Sequence, residues 1–102
     1  MASNNVDITV VDNPAEGRFE ALVADGSVVG IADYSRQGDV VLMTHVEVLP
    51  AYEGQGIAAK LTAHALDDLR DRGVKIVPRC PYVLAFLPRH PEYADMVAEA
   101  GS

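Results

Sequence analysis

Residues 40–60 read Val40-Val-Leu-Met-Thr-His-Val-Glu-Val48, then Leu49-Pro-Ala-Tyr-Glu-Gly-Gln-Gly56, then Ile57-Ala-Ala-Lys60. The first segment is rich in β-branched residues and stops before a proline, which predicts a strand. From Ile57 onward apolar residues recur every four positions and charged residues fall on the other side, which predicts an amphipathic helix. A loop with two glycines therefore joins a strand to a helix.

A second apolar strand follows this helix. Gly73 is placed to end the helix in the left-handed conformation, and Val74–Val77 predicts a short buried strand. A strand, a helix and a second strand usually form a right-handed parallel unit, so the two strands should be parallel neighbours. Two prolines then predict short helices that begin at them, Pro81–Leu87 and Pro91–Ala100.

Three further strands are predicted before Val40. They are Val6–Val10, Phe19–Val23 and Val28–Tyr34, separated by segments rich in turn-forming residues. Asp25-Gly26 is typical of a two-residue hairpin turn. The first half of the chain is therefore predicted to be a four-strand antiparallel meander. The predicted fold class is α+β, a mixed sheet with helices packed on it.

Length and composition limit the possible classes of protein. The chain has 102 residues, a formal net charge of −7 and one cysteine. We expect a single domain over residues 6–102 and a disordered N-terminus over residues 1–5. The sequence shows no signal peptide or membrane span, and one cysteine forms no internal disulfide, which favours a cytoplasmic protein. The negative charge argues against nucleic-acid binding and permits a cationic partner.

The glycine loop predicts an anion site. Gly54 and Gly56 let a ligand approach the backbone, and the start of the following helix offers unpaired N–H groups and the positive end of its dipole. An ordinary tight turn is the alternative interpretation. Gly54–Ala59 also fits a dinucleotide fingerprint, but four strands precede it and no carboxylate ends the next strand, so we reject that function.

Four segments in this order resemble the small, YjdJ-type members of the GNAT N-acetyltransferase superfamily (mini-GNAT domains). They are Thr44–Val48, Tyr52–Ala58, Cys80–Tyr82 and His90–Tyr93. The resemblance implies a GNAT-like fold, in which the fourth and fifth strands splay apart and hold the pantetheine chain of CoA. It also implies that the CoA pyrophosphate lies on the amides of the glycine loop.

Two departures from the superfamily concern the site. Glu53 stands where the loop usually opens with Gln or Arg. The helices that larger members place after the first strand have no room between Val11 and Arg18. Basic side chains elsewhere are candidates for the remaining phosphate of CoA. The predicted acetyl-CoA contacts are Val46, Val48, Glu53, Gly54, Gln55, Gly56, Ile57, Ala58, Lys60, Arg79, Arg89 and His90.

The fourth strand carries two candidate catalytic residues. Alternation places His45 and Glu47 on one face, together with Val41 and Met43. Either residue is a candidate base for the proton of an attacking amine, and histidine suits neutral pH better. A solvent-facing polar pair on an open sheet face is the alternative interpretation.

Cys80 is a candidate nucleophile. If Pro81 is the first helical residue, Cys80 is its N-cap, where the helix dipole favours a thiolate. Because the fourth and fifth strands should be neighbours, His45 is expected across the same crevice. A covalent route through a Cys80 acetyl-thioester therefore stands beside direct transfer. A small buried cysteine is the structural alternative.

Tyr82 is a candidate proton donor to the leaving thiolate, or a packing residue.

The predicted function is that of an acetyl-CoA-dependent N-acetyltransferase, an acyltransferase acting on an amine of a small molecule or a protein. The alternative is a non-catalytic acetyl-CoA or CoA-binding module, such as a sensor or an accessory protein. No metal site is expected because the three histidines lie on different elements without ligand spacing.

Overall fold

Five strands form one mixed sheet in the computed structural model, which describes residues 7–98. Neighbouring strands follow the order of the chain. The first four pair antiparallel and the fifth pairs parallel to the fourth. The strands are β1 (Thr9–Asn13), β2 (Arg18–Leu22), β3 (Val28–Gln37), β4 (Val40–Val48) and β5 (Lys75–Pro78).

Two α-helices and two 3-10 helices complete the fold. The α-helices are α1 (Ile57–Asp71) and α2 (Pro81–Arg89), and the 3-10 helices are Pro50–Tyr52 and Pro91–Met96. The helix α2 thus extends two residues beyond the predicted end at Leu87. The last predicted helix is instead a 3-10 helix that ends at Met96, and residues 99–102 lie outside the described part. No helix within residues 7–98 is long and apolar enough to cross a membrane.

The first strand begins later than predicted. It covers Thr9–Asn13, not Val6–Val10, because Asn13 pairs with Arg18 and the turn needs only the four residues between them. The Asn13 side-chain amide also donates a hydrogen bond to Glu20 at 3.1 Å. The predicted disordered segment, residues 1–5, lies outside the described residues.

A β-bulge in β4 changes the predicted faces of this strand. Asp33 of β3 pairs with His45 and the next residue, Tyr34, pairs with Met43, so Thr44 is the extra residue. The Thr44 hydroxyl donates a hydrogen bond to the carbonyl of Asp33 at 3.3 Å. The prediction that His45 and Glu47 share a face with Val41 and Met43 is therefore wrong.

Both α-helices pack on one face of the sheet, which we call the covered face. A Cβ on Gly30 would contact Ile57 and Leu61 of α1, so Gly30 and its partner Val48 lie on this face. Apolar residues of α1 and α2 join the sheet in one buried cluster, and Tyr93 donates a hydrogen bond to Asp67 of α1. Burial of these apolar side chains stabilises the packing of the helices on the sheet.

The opposite face, which we call the open face, carries mainly polar side chains of the first four strands. Its members follow from the pairing registers. They include Val11, Asn13, Arg18, Glu20, Ile31, Asp33, His45 and Glu47.

Candidate active site

A cleft opens where β4 and β5 part. Their pairing ends at Met43 and Pro78. The N–H groups of Arg79 and Cys80 both donate to the Met43 carbonyl, at 2.9 and 3.0 Å, which turns the chain away from β4. The last part of β4 therefore pairs with β3 alone, and its other edge borders the cleft.

This free edge offers backbone groups to a ligand. The N–H of Leu49 donates to the carbonyl of Val29 on β3 at 2.9 Å. Because the direction of these groups alternates along a strand, the N–H and C=O groups of Val46 and Val48 point away from β3, into the cleft. An extended ligand chain in the cleft can pair with them as an additional strand would.

The glycine loop adds a row of unpaired amides. Gly54 and Gly56 have φ angles of 82° and 77°, a conformation that favours glycine. The first backbone bond of α1 runs from Lys60 N–H to the Gly56 carbonyl at 3.1 Å. The N–H groups of residues 54–59 meet no backbone acceptor within residues 7–98. Unpaired donors of this kind, together with the positive end of the helix dipole, can hold an anion.

A cavity of about 250 Å³ lies between the free edge of β4 and the start of α1. It combines apolar walls with the amide donors of the loop, as expected of a site for an anionic ligand with an apolar arm. Its lining residues are Val46, Val48, Tyr52, Glu53, Gly54, Gly56, Ile57, Ala58, Ala59 and Tyr82.

A second cavity of about 330 Å³ borders the first and shares Ala59 and Tyr82 with it. Arg89 and His90 of the predicted phosphate-binding residues line this cavity. The His90 ring stacks on Phe86 at a centroid distance of 3.9 Å. Lys60 and Arg79, which the sequence also suggested, line neither cavity, and the same holds for Gln55.

The candidate catalytic residues lie on opposite sides of the sheet. His45 and Glu47 form a pair on the open face, with His45 Nε2 3.0 Å from Glu47 Oε1 and side chains 54% and 61% exposed. Cys80 is the N-cap of α2 as expected, but it is only 2% exposed and belongs to the buried cluster. Within residues 7–98 its thiol makes no hydrogen bond to His45.

The sequence model of one family matches most of the chain. The GCN5-related N-acetyl-transferase model aligns with residues 18–96, from β2 to the end of the second 3-10 helix. The chain belongs to this family. The predicted resemblance to GNAT proteins is thereby confirmed, and the match includes both the glycine loop and the cleft between β4 and β5.

Solved GNAT structures have the same fold. A GCN5-like protein of Staphylococcus aureus, solved by NMR, has a TM-score of 0.65 at 19% identity, over 95% of this chain and 94% of that one. A GNAT acetyltransferase of Brucella melitensis, in complex with acetyl-CoA, is 31% identical, with a TM-score of 0.53 over 60% and 44% of the chains. The predicted α+β fold with parallel β4 and β5 is therefore confirmed.

A third structure, the GNAT N-acetyltransferase YhbS of Escherichia coli in complex with CoA, has a TM-score of 0.58 at 21% identity, over 76% of this chain and 64% of that one. The chain thus spans less than two thirds of the two ligand-bound relatives. Acetyl-CoA, the predicted cofactor, is the ligand of the Brucella protein. No protein of curated function matches the chain. The cytoplasmic location and the single-domain organisation stay predictions.

Tyr82 lines both cavities of this GNAT domain. Burial, only partly offset by the charge of Arg89, raises the pKa of its phenol above the usual value. The hydroxyl therefore keeps its proton near neutral pH, which a proton donor requires.

Tyr52 and Ala59 line the main cavity, but the sequence reasoning gave neither a role. An aromatic residue directly before the glycine loop was the available signal for Tyr52. For Ala59 the signal was a small residue in the first turn of the helix, where a ligand needs room. Within residues 7–98 no cluster of His, Cys, Asp or Glu is arranged to hold a metal ion.

Proposed function

We propose that the protein is an acetyl-CoA-dependent N-acetyltransferase that transfers the acetyl group directly to an amine. The observation that carries this proposal is the row of unpaired amides from Gly54 to Ala59, next to a cavity that borders the free edge of β4. Phosphate groups suit such amides at a helix start. An amide-containing chain such as pantetheine suits the free strand edge, where Val46 and Val48 present N–H and C=O groups.

The residues present fit acetyl-CoA along its length. The amides of the glycine loop fit the pyrophosphate, and Glu53, the predicted departure, leaves these backbone donors intact. In the adjoining cavity Arg89 supplies positive charge and His90 supplies ring nitrogens that can hydrogen-bond, and a further phosphate can be held there. When bound there, acetyl-CoA supplies a thioester acyl group to an attacking amine.

In this mechanism the exposed pair on β4, His45 and Glu47, removes a proton from the acceptor amine. His45 Nε2–H donates to Glu47 Oε1 at 3.0 Å, which holds the ring in place and leaves Nδ1 free to take a proton from the amine. Tyr82 stands on the covered side with its proton retained, and its hydroxyl donates to the leaving sulfur.

The covalent route through Cys80 has less support. A nucleophilic thiol must meet both the acyl group and a base. Cys80 is 2% exposed, and His45, its expected base, points from the opposite face of the sheet and contacts Glu47. The position of Cys80 agrees better with a packing residue that also begins α2.

Ligand binding is tested with a matched pair of glycine variants. Gly56→Leu places a side chain beside the row of unpaired amides. Gly26→Leu is the control, because Gly26 also has a positive φ angle but lies in a distant turn. Both should lose about 1–2 kcal/mol of stability, since a left-handed residue with a side chain is strained. Calorimetric titration with CoA should show binding to Gly26→Leu and none to Gly56→Leu. Equal affinities would contradict the assigned anion site.

Catalysis is tested by release of CoA thiol in the presence of an amine panel. His45→Gln should lower kcat by about 100-fold or more, as expected for loss of a general base. Cys80→Ala should retain activity within a few fold, and mass spectrometry should detect no acetylated wild-type protein after incubation with acetyl-CoA. A Cys80-dependent gain of one acetyl group would instead establish the covalent route.

A CoA-binding module without turnover is the second candidate. The open face favours it, because the described residues place no helix over His45 and Glu47 to enclose an acceptor. Stabilisation by CoA without thiol release from any amine would support this function.

A further inference from the structure

We propose that the acceptor is a primary amine with a short apolar group, and that it binds on the open face of the sheet. Its ammonium group would lie at Glu47 and His45, and its apolar group would fill a hollow beside them. This inference rests on the proposed function and adds the chemical class of the acceptor.

The hollow lies at the end of the sheet where β4 stops. It has a volume of about 120 Å³, and Val28, Ile31 and Leu49 give it an apolar lining, with Glu47 at its border. This volume is somewhat smaller than the roughly 150 Å³ that accommodates benzene. The isopropyl end of a branched chain of four or five carbons is smaller than a benzene ring and therefore fits the hollow better than a ring system.

The exposure of Leu49 points to the same occupant. Its side chain is 46% exposed although it lies directly beside a charged carboxylate, that of Glu47. An apolar group in the hollow would remove this surface from water, and each buried methylene favours binding. A purely polar amine would gain nothing from Leu49.

The charges around the hollow favour a cation. Ile31 stands between Glu20 and Glu47 in the register of the sheet, and Asp33 stands opposite His45. Glu20 is paired with Arg18 at 2.9 Å, whereas among the described residues the Glu47 carboxylate is paired with the exposed His45 alone. An ammonium group next to Glu47 would therefore find an anion that no arginine or lysine side chain within residues 7–98 already pairs.

The transfer balances as follows. The ammonium loses a proton to His45, and the freed nitrogen forms a bond to the thioester carbon while the carbon–sulfur bond breaks. The nitrogen then loses its second proton, and the leaving sulfur ends as the CoA thiol. The products are the N-acetylated amine, CoA and one proton, which His45 passes to water.

Three amines test this acceptor class in the thiol-release assay. Isoamylamine carries the branched apolar chain, methoxyethylamine has a similar length but a polar ether, and putrescine ends in a second charge. We expect kcat/KM for isoamylamine to exceed both others by about tenfold or more. Equal values, or a preference for putrescine, would overturn the inference.

Two leucine variants test where the apolar chain of the amine binds. Leu49→Asn should reduce the preference for isoamylamine over methoxyethylamine about tenfold while leaving the affinity for CoA unchanged. Leu84→Asn is the matched control, because Leu84 is 52% exposed on α2 and lines neither the hollow nor the two cavities of the site. A preference that survives Leu49→Asn would place the apolar group elsewhere and overturn the inference.

A binding measurement separates this inference from the proposed function. Isoamylamine is titrated into the CoA-saturated protein, and NMR should show shifts at the amides of Val28, Ile31 and Leu49. If CoA binds but these amides do not respond, the acceptor assignment alone fails. If CoA itself does not bind, the proposed function fails, and the acceptor assignment fails with it.

Discussion

Thr62 is a buried threonine on α1 whose hydroxyl has no hydrogen-bond partner in the described part of the chain, and the residue is 0% exposed. A buried unsatisfied hydroxyl costs about 1–3 kcal/mol. Thr62→Val replaces it with a methyl group of similar shape and should raise the free energy of unfolding by about 1 kcal/mol. Urea unfolding checks this, and a loss of stability would show that the hydroxyl is paired.

The raised phenol pKa values of two tyrosines should lower the free energy of unfolding at alkaline pH. Tyr34 donates to Asp12 at 2.5 Å and Tyr93 donates to Asp67 at 2.8 Å. Burial is the main cause that raises the pKa of each phenol to about 12, and these hydrogen bonds add to it. Unfolded tyrosine has a pKa of about 10.

Below pH 10 both phenols keep their protons in the folded and unfolded states, so they add no pH dependence. Between about pH 10 and 12 the unfolded chain loses these protons first, and the free energy of unfolding should fall. Unfolding of wild type and the double variant Tyr34→Phe, Tyr93→Phe should differ in this slope. The same slope in both proteins would refute the assignment.

At the scale of elements, Arg72 connects the end of α1 to the edge strand β1. Its guanidinium donates to Asp12 of β1 at 2.8 Å and also to Asp68 of α1. Because the arginine is partly exposed, Arg72→Ala should cost only about 1 kcal/mol. Hydrogen exchange of the β1 amides should become about fivefold faster. Arg36→Ala, at the exposed end of β3, is the control and should leave β1 unchanged.

The ends of β4 and α1 agree with the sequence prediction because local chemistry marks them. A proline follows β4 closely, and Gly56 and Gly73 have the positive φ angles that flank α1. The bulge at Thr44 was not predictable from alternation, since it arises from pairing with β3. It reverses the strand's faces, so the cavity receives Val46 and Val48 while His45 faces away.

At the scale of the whole molecule, the order of the motifs predicts the topology and the family. The structure confirms the topology, and the match to the family model confirms the family. The relation between Cys80 and His45 does not follow from the strand order. Adjacent parallel strands bring two residues to one edge of a sheet, but the face of each depends on local register. One extra residue in β4 was enough to separate them.

The turn of the chain after β5 has a kinetic consequence. The N–H groups of Arg79 and Cys80 both donate to the Met43 carbonyl, so neither is free to extend the pairing with β4 beyond Met43. The cleft is thus part of the folded backbone, and binding of CoA needs no prior opening step. In stopped-flow experiments the observed association rate should rise in proportion to CoA concentration without a plateau. A plateau would reveal a closed population that this turn does not prevent.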